Sequence, residues 1–307
     1  MYSNSRTTKP CDLCGHDDFA PLWHRGHPGV LMSTVVCTKC GLVQTNPAPG
    51  KTDLDQFYRH QYRVLYNGSP VPNEASRRGM AKQAASRCAD LDRHLKRASS
   101  VLEIGCATGE FLAQLKEHGH SPVGIELSPD CAAVARQICN DVRTGMVEDQ
   151  TFAEATFDAI CMFHVLEHLE SPRTCLLQLR QWLKTDGILF LEVPDVHQPY
   201  EGHLNRFFQI AHLYTFSERT LTAMLGVAGF QCLWSRRLVE GKFLRIVAQM
   251  MSEPLPGAYS LPADDWKQVK SMILAWRRRW LVWYKWKSLI NQYGSAIGRR
   301  MRSSRPT

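Results

Sequence analysis

Between residues 75 and 252 the chain alternates short apolar runs with longer stretches in which apolar residues recur every three or four positions. Runs of the first kind read as buried strands and stretches of the second as amphipathic helices, and their regular alternation predicts a parallel α/β sheet. Strands are expected at Val101–Ile104, Val123–Leu127, Phe157–Phe163 and Ile188–Val193, with helices between them. The helix after Leu127 opens with Ser128 as N-cap and Pro129 at its first position. The helix near 173–184 is expected to stop at Asp186-Gly187. Past Phe230, two β-like runs at 231–239 and 243–251 flank Gly241 and predict a closing antiparallel pair. There is no internal repeat.

The flanks differ from this core. Residues 1–50 carry two tight cysteine pairs and end in the turn-rich run Asn46-Pro47-Ala48-Pro49-Gly50. Residues 51–74 form a connector bearing Tyr58, Tyr62 and Tyr66, closed by a Pro/Gly/Asn-rich break at 67–73. Residues 253–307 form a tail in which Trp266, Val269, Ile273, Trp276, Trp280 and Trp283 fall on one helical stripe.

Charge changes the picture only in that tail. The formal net charge is +8, yet eleven of the 37 Lys and Arg lie from Trp266 to Thr307, leaving 26 bases against 29 acids elsewhere. A nucleic-acid binder with a basic core is therefore disfavoured. Tryptophan with flanking cations suits a helix on an anionic membrane surface or a membrane-bound partner. Docking on the core or on a second subunit is the other reading. The first thirty residues contain no apolar h-region, and no run reaches the length of a membrane span. Seven of the eleven cysteines are scattered through apolar segments, as buried thiols are. A cytoplasmic protein is expected, with attachment at the inner membrane face if the tail binds lipid.

The chemistry begins at Val101-Leu102-Glu103-Ile104-Gly105-Cys106-Ala107-Thr108-Gly109, an apolar strand running into a glycine turn and then a helix from Glu110 to His118. Gly105 and Gly109 let backbone approach a ligand closely. The next strand ends at Glu126, where a carboxylate is placed to accept hydrogen bonds from both ribose hydroxyls of an adenosine. A pyrophosphate needs a further glycine, and Cys106 and Ala107 occupy those positions, so an adenosine cofactor without phosphate fits better.

The segment resembles motif I of class I methyltransferases that use S-adenosylmethionine. The resemblance extends in order through Glu126, the adenine-flanking stretch Gly145-Met146-Val147-Glu148-Asp149, and the strand Phe157–Phe163 with His164-Val165-Leu166-Glu167-His168-Leu169 at its end. It implies a Rossmann-like, seven-stranded α/β core. It also implies that Glu103, Gly105, Cys106, Ala107, Gly109, Glu126, Leu127, Met146, Val147 and Phe163 bind the cofactor. A binding module that has lost catalysis is the rival of another class; the intact Glu103, Gly105, Gly109 and Glu126 argue against it.

Cys11-Asp12-Leu13-Cys14-Gly15 and Cys37-Thr38-Lys39-Cys40-Gly41 are two C-x-x-C-G knuckles. Four thiolates at this spacing suit one tetrahedral zinc ion, and a closed four-sulfur shell makes it structural. A zinc ribbon, a tyrosine-bearing connector and this core are together similar to a group that includes sugar C-methyltransferases, in which the zinc module helps cover the substrate. The chain departs from that group in that, past residue 252, little follows here except the basic tail. In Phe208–Ser217 only His212 matches its Tyr-His-Glu-His cluster. The resemblance therefore carries methyl transfer to a small-molecule acceptor, such as a sugar or glycan precursor, and does not carry C-methylation. An RNA acceptor is the alternative within the class. His164, His168 and His212 are the candidate bases for deprotonating an acceptor, with Tyr214 and Arg206 as candidate substrate contacts. His168 can equally serve as a structural helix-start residue.

Overall fold

The computed structural model describes residues 6–26, 31–61, 64–65, 68–199, 204–238, 242–252, 266–279 and 281–282. Short strands β1 (Arg6–Thr7), β2 (Phe19–Arg25), β3 (Leu31–Cys37), β4 (Val43–Thr45) and β5 (Ala48–Pro49) build the N-terminal unit. Helices α1 (Lys51–His60) and α2 (Glu74–Leu91) follow. The core then runs β6 (Ser100–Ile104), α3 (Glu110–Glu117), β7 (Ser121–Glu126), α4 (Pro129–Ala135), β8 (Val142–Thr144), β9 (Phe157–Phe163), α5 (Pro172–Trp182) and β10 (Leu183–Pro194). It closes with β11 (Tyr214–Thr215), α6 (Glu218–Val227), β12 (Phe230–Leu238) and β13 (Phe243–Met250).

The seven-stranded sheet has the order β12-β13-β10-β9-β6-β7-β8. Strands β8, β7, β6, β9 and β10 are mutually parallel, whereas β13 pairs antiparallel with both β10 and β12. The central strands are apolar because helices cover both their faces; six of the seven residues of β9 are buried. Helix starts follow local sequence. Ser128 Oγ accepts from the Cys131 N–H, Ser171 Oγ from the Thr174 N–H, and Ser217 forms a reciprocal capping pair with Thr220. All four expected core strands and the closing antiparallel pair are present. One local expectation is corrected. Helix α5 ends at Trp182 and β10 begins at once, because the Trp182 and Leu183 side chains are both buried in the core; Asp186 and Gly187 belong to the strand. The connector contains a full helix, α1, whose Leu54 and Phe57 are buried; Tyr62 and Tyr66 lie outside the described residues.

The N-terminal unit is not a bead on a string. Its sheet runs β11-β4-β3-β2, so a strand from the far end of the core completes it, with Tyr214 opposite Gln44. Cys11, Leu13, Cys37 and Leu42 share one apolar cluster with Leu166, Leu176 and Phe216. Asp12 accepts hydrogen bonds from the Ser171 hydroxyl (2.7 Å) and the Arg173 N–H (2.9 Å), thereby capping α5 from outside the core.

Residues 266–279 are helical, as the stripe predicts. Val269 and Ile273 are fully buried against Leu22, Val36, Phe207 and Phe208, with Trp266 and Trp276 packed at the edges. Over this stretch the apolar face expected at a membrane surface is instead covered by the chain's own N-terminal sheet, because that sheet leaves a matching apolar face uncovered by the core. Trp280 and residues 283–307 lie outside the described residues. No described helix is long and apolar enough to cross a membrane.

Candidate active site

The carboxyl ends of β6, β7 and β9 open onto one crevice. After β6 the backbone takes left-handed turns at Gly105 (φ 78°), Ala107 (φ 48°) and Gly109 (φ 88°). The Gly105 and Cys106 N–H groups donate to the Ile125 carbonyl at 2.8 and 3.0 Å, which folds the turn over the end of β7. A Cβ at position 105 would lie 2.6 Å from Val165 Cγ2, so the close approach requires glycine. Glu126 ties the two loops together: Oε2 accepts from the Ala107 N–H at 2.9 Å and Oε1 from the Ser128 N–H at 2.8 Å. Glu126 also lines a cavity of about 500 Å³.

Of the expected cofactor residues, Gly105, Glu126, Leu127, Met146, Val147 and Phe163 line this cavity. The other four expected ligands sit behind it. The Cys106 side chain is buried in the core, its Sγ filling the space beside Gly124. Ala107 and Gly109 shape the turn. Glu103 is buried beneath the turn, and burial pushes its carboxyl up to about 8 against the pull of Arg87; its Oε2 makes no hydrogen bond. An orphaned buried acid below a glycine turn, with a free-standing cavity above it, fits a cofactor carrying polar groups. Sequence reasoning missed Tyr58 on α1 and Ser76 and Met80 on α2, which close the cavity from the opposite side. Their i, i+4 spacing was the available signal for the last two.

A second cavity of about 600 Å³ lies between the N-terminal unit and the core. Pro10, Asp12, Leu54, Glu170, Arg173 and Tyr214 contribute to its walls. The two cavities share Tyr58, Met146, Glu148 and His168. Tyr214 is therefore where a substrate contact was expected; the side chain of Arg206 lies outside the described residues.

The three candidate histidines come together at this shared wall, in different environments. His164 (φ 57°) has Nε2 3.1 Å from Glu192 Oε1 and Nδ1 3.5 Å from Glu167 Oε1. Burial would lower its imidazole, but the two carboxylates outweigh it and raise it to about 9, so His164 is a cation at neutral pH and not a base. His212 moves the other way: burial, with His168 beside it, lowers it to about 3. His168 is lowered too, chiefly by burial, and its Nδ1 lies 2.7 Å from the Ala211 carbonyl, to which the Tyr58 hydroxyl also donates at 2.6 Å. Glu192 in turn is held by Arg87 (2.7 Å) and Arg245 (2.7 and 2.9 Å), and Arg245 also pairs with Asp90. This buried ionic layer under the site had no sequence signal beyond charged residues in apolar strands.

In the cysteine unit, Cys11 Sγ lies 3.4 Å from Cys40 Sγ and Cys14 Sγ 3.6 Å from Cys37 Sγ. All four sulfurs fall within 4.8 Å of one another. The Gly15 and Gly41 N–H groups turn back onto the Cys11 and Cys37 carbonyls at 2.8 and 3.0 Å.

Residues 76–234, more than half of the chain, match the family model described as a methyltransferase domain. The chain belongs to this methyltransferase family. The matched residues form an S-adenosylmethionine-dependent methyltransferase domain, whose sheet opens at the carboxyl ends of its strands onto the crevice bounded by Gly105, Glu126 and Met146. Curated relatives include a ubiquinone biosynthesis O-methyltransferase of Glaesserella parasuis, 29% identical over 102 residues, which covers 30% of this chain and 43% of that protein. They also include the dTDP-3-amino-3,6-dideoxy-alpha-D-glucopyranose N,N-dimethyltransferase of Streptomyces fradiae, 32% identical over 116 residues, covering 36% of this chain and 46% of that protein. The methyltransferase thus spans less than half the length of these relatives. Among solved structures, the 1,6-didemethyltoxoflavin-N1-methyltransferase of Burkholderia thailandensis, with bound 1,6-didemethyltoxoflavin and S-adenosylhomocysteine, superimposes with a TM-score of 0.53 at 21% identity. It covers 76% of this chain and 99% of that one, a likeness of fold.

Proposed function

We propose that the methyltransferase modifies a small polar acceptor, such as a sugar or glycan precursor, held in the cavity between the cysteine unit and the core. The observation that carries this reading is the shared wall. The cavity above Glu126 and the cavity beside Asp12 meet at Tyr58, Met146, Glu148 and His168, so donor and acceptor would approach each other there. The cofactor supplies a methyl group already activated on a sulfonium, and the protein's task is alignment of the acceptor. Glu126 would hold the ribose hydroxyls through the lone pairs its two N–H partners leave, Met146 and Val147 would flank the adenine, and the Gly105 turn would admit the methionine portion. Asp12, Glu170 and Tyr214 offer hydrogen-bond acceptors and a hydroxyl suited to a polyhydroxy or amino acceptor. The curated relatives named for ubiquinone biosynthesis and for N,N-dimethylation of a dTDP-linked amino sugar support a small-molecule acceptor.

Cys11, Cys14, Cys37 and Cys40 would hold one structural zinc. Sulfurs about 2.3 Å from a tetrahedral zinc stand roughly 3.8 Å apart, and the cross-knuckle separations of 3.4 and 3.6 Å need little adjustment. Zinc would then fix the position of Asp12, and with it one wall of the acceptor cavity. Incubating the purified protein with tritiated-methyl donor and fractionated small-molecule extract tests the reading. Label in the low-mass fraction, lost in a Tyr58→Phe and Asp12→Asn double variant that still binds S-adenosylhomocysteine, supports it. Label found only in RNA or protein overturns it.

A further inference from the structure

We propose that Glu167, His168 and His212 form a binding site for a single first-row divalent metal ion at the inner wall where the two cavities meet. This site is separate from the four cysteines. Its ligand atoms, one from each residue, all lie within 4.8 Å of one another.

Glu167 is the observation that demands an occupant. It is 1% exposed, and neither carboxylate oxygen makes a hydrogen bond. An ionised carboxylate buried this deeply needs compensating partners. The nearby groups are His164 Nδ1 at 3.5 Å, which offsets the charge from a distance, and the unprotonated Nε2 of His168 at 4.0 Å, which does not. His212 repeats the pattern: it is 7% exposed, and its Nδ1 makes no hydrogen bond.

The surroundings prepare both imidazoles as ligands. The His168 Nδ1–H donates to the Ala211 carbonyl at 2.7 Å, which sets the tautomer and leaves the Nε2 lone pair on the Glu167 side. The Gln209 amide lies 2.7 Å from His212 Nε2. The amide nitrogen faces the ring there; with the amide rotated so that its oxygen faces the ring instead, Nε2–H donates and Nδ1 carries the lone pair. Metal-bound histidines are oriented by such contacts on the opposite ring nitrogen. The neutral imidazole is the form that binds metal. Two imidazoles and one carboxylate suit zinc, manganese, iron or cobalt in the divalent state and leave coordination positions open. Adjacent ligands around such an ion stand roughly 3.0–3.5 Å apart at bonds of about 2.1 Å, so the cluster closes by about an ångström. His168 opens on both cavities and provides the entry path. On the reading of a small-molecule methyltransferase, the open positions face the acceptor; ion binding itself does not depend on that reading.

Manganese distinguishes this site from the thiolate unit, because it prefers oxygen and nitrogen donors. Full-length protein, zinc-loaded and dialysed, is titrated with Mn²⁺ by calorimetry and by the loss of free-ion paramagnetic resonance. The expected result is uptake of a single Mn²⁺ beyond the zinc, weakened at least about tenfold in Glu167→Gln and in His212→Gln. S-adenosylhomocysteine titration of the same variants reports the cofactor crevice separately, so the methyltransferase reading can stand while the metal site falls. If a variant does not fold, anomalous scattering from wild-type crystals soaked in Mn²⁺ decides: a peak among the three side chains supports the site. No uptake by wild type at millimolar Mn²⁺, or unchanged uptake by Glu167→Gln, overturns it.

Discussion

Replacing Glu126 by alanine separates two roles that one carboxylate plays. In the structure its oxygens accept from the Ala107 and Ser128 N–H groups at 2.9 and 2.8 Å, and the residue is 4% exposed. Losing the acceptor strands both N–H groups at the loop ends, at a cost of about 1–3 kcal/mol each, or roughly 2–6 kcal/mol for the pair. At roughly 2–4 °C per kcal/mol for a domain of this size, the unliganded variant should melt on the order of ten degrees lower. The cofactor role appears in a different quantity, the rise in melting temperature on adding S-adenosylhomocysteine. Ligand at 100 times its dissociation constant stabilises by about 2.7 kcal/mol, and a tenfold weaker complex loses about 1.4 kcal/mol of that. Scanning calorimetry with and without ligand measures both effects. An unchanged melting point would refute the bridging argument. An unchanged ligand-induced rise would refute the ribose assignment, whatever happens to the apo protein.

Other perturbations test other parts. Cys37→Ser should release the zinc and, through Asp12, loosen the start of α5; metal analysis and amide exchange at Ser171–Thr174 report the two effects, and full zinc content in the variant would contradict the four-sulfur shell. Arg245→Met should destabilise the core by about 3–5 kcal/mol, since it leaves buried Glu192 and Asp90 short of a partner; denaturant unfolding showing less than about 1 kcal/mol would remove the ionic layer from the account. Glu192 titrates below the usual carboxylate range because His164 and Arg87 outweigh its burial. Its contribution should therefore be complete above about pH 5 and fade as pH falls, and Glu192→Gln should flatten that acid limb; an identical acid limb in the variant would count against it. Ile273→Ala should cost about 2–5 kcal/mol because the side chain is fully buried against the N-terminal sheet; a surface-like effect below about 0.5 kcal/mol would free the stripe for a membrane.

The parallel strands, the glycine turn and Glu126 were legible because each rests on local chemistry: an apolar run, a left-handed backbone, a carboxylate at a strand end. What eluded the sequence is non-local. Tyr58 meets His168 and the Ala211 carbonyl across more than a hundred residues, and nothing in the connector's composition marks that contact. The tryptophan stripe showed which face of the tail is apolar but not what covers it, and β11 gave no sign that it would complete a sheet begun at Phe19. The protonation states diverged for the same reason. His164 and His168 look alike in the run His164-Val165-Leu166-Glu167-His168, yet Glu167 together with Glu192, the latter reached only through β10, raises the first, while burial lowers the second.

The proposed function places the cofactor in the crevice above Glu126 and the acceptor in the cavity that meets it at Tyr58 and His168. A crystal structure of the protein with S-adenosylhomocysteine tests it most directly. The account predicts the ribose on Glu126, the adenine beside Met146 and Val147, and the sulfur directed toward the Tyr58–His168 wall. Ligand bound elsewhere, or lying in the crevice with its sulfur turned away from that wall, would contradict it.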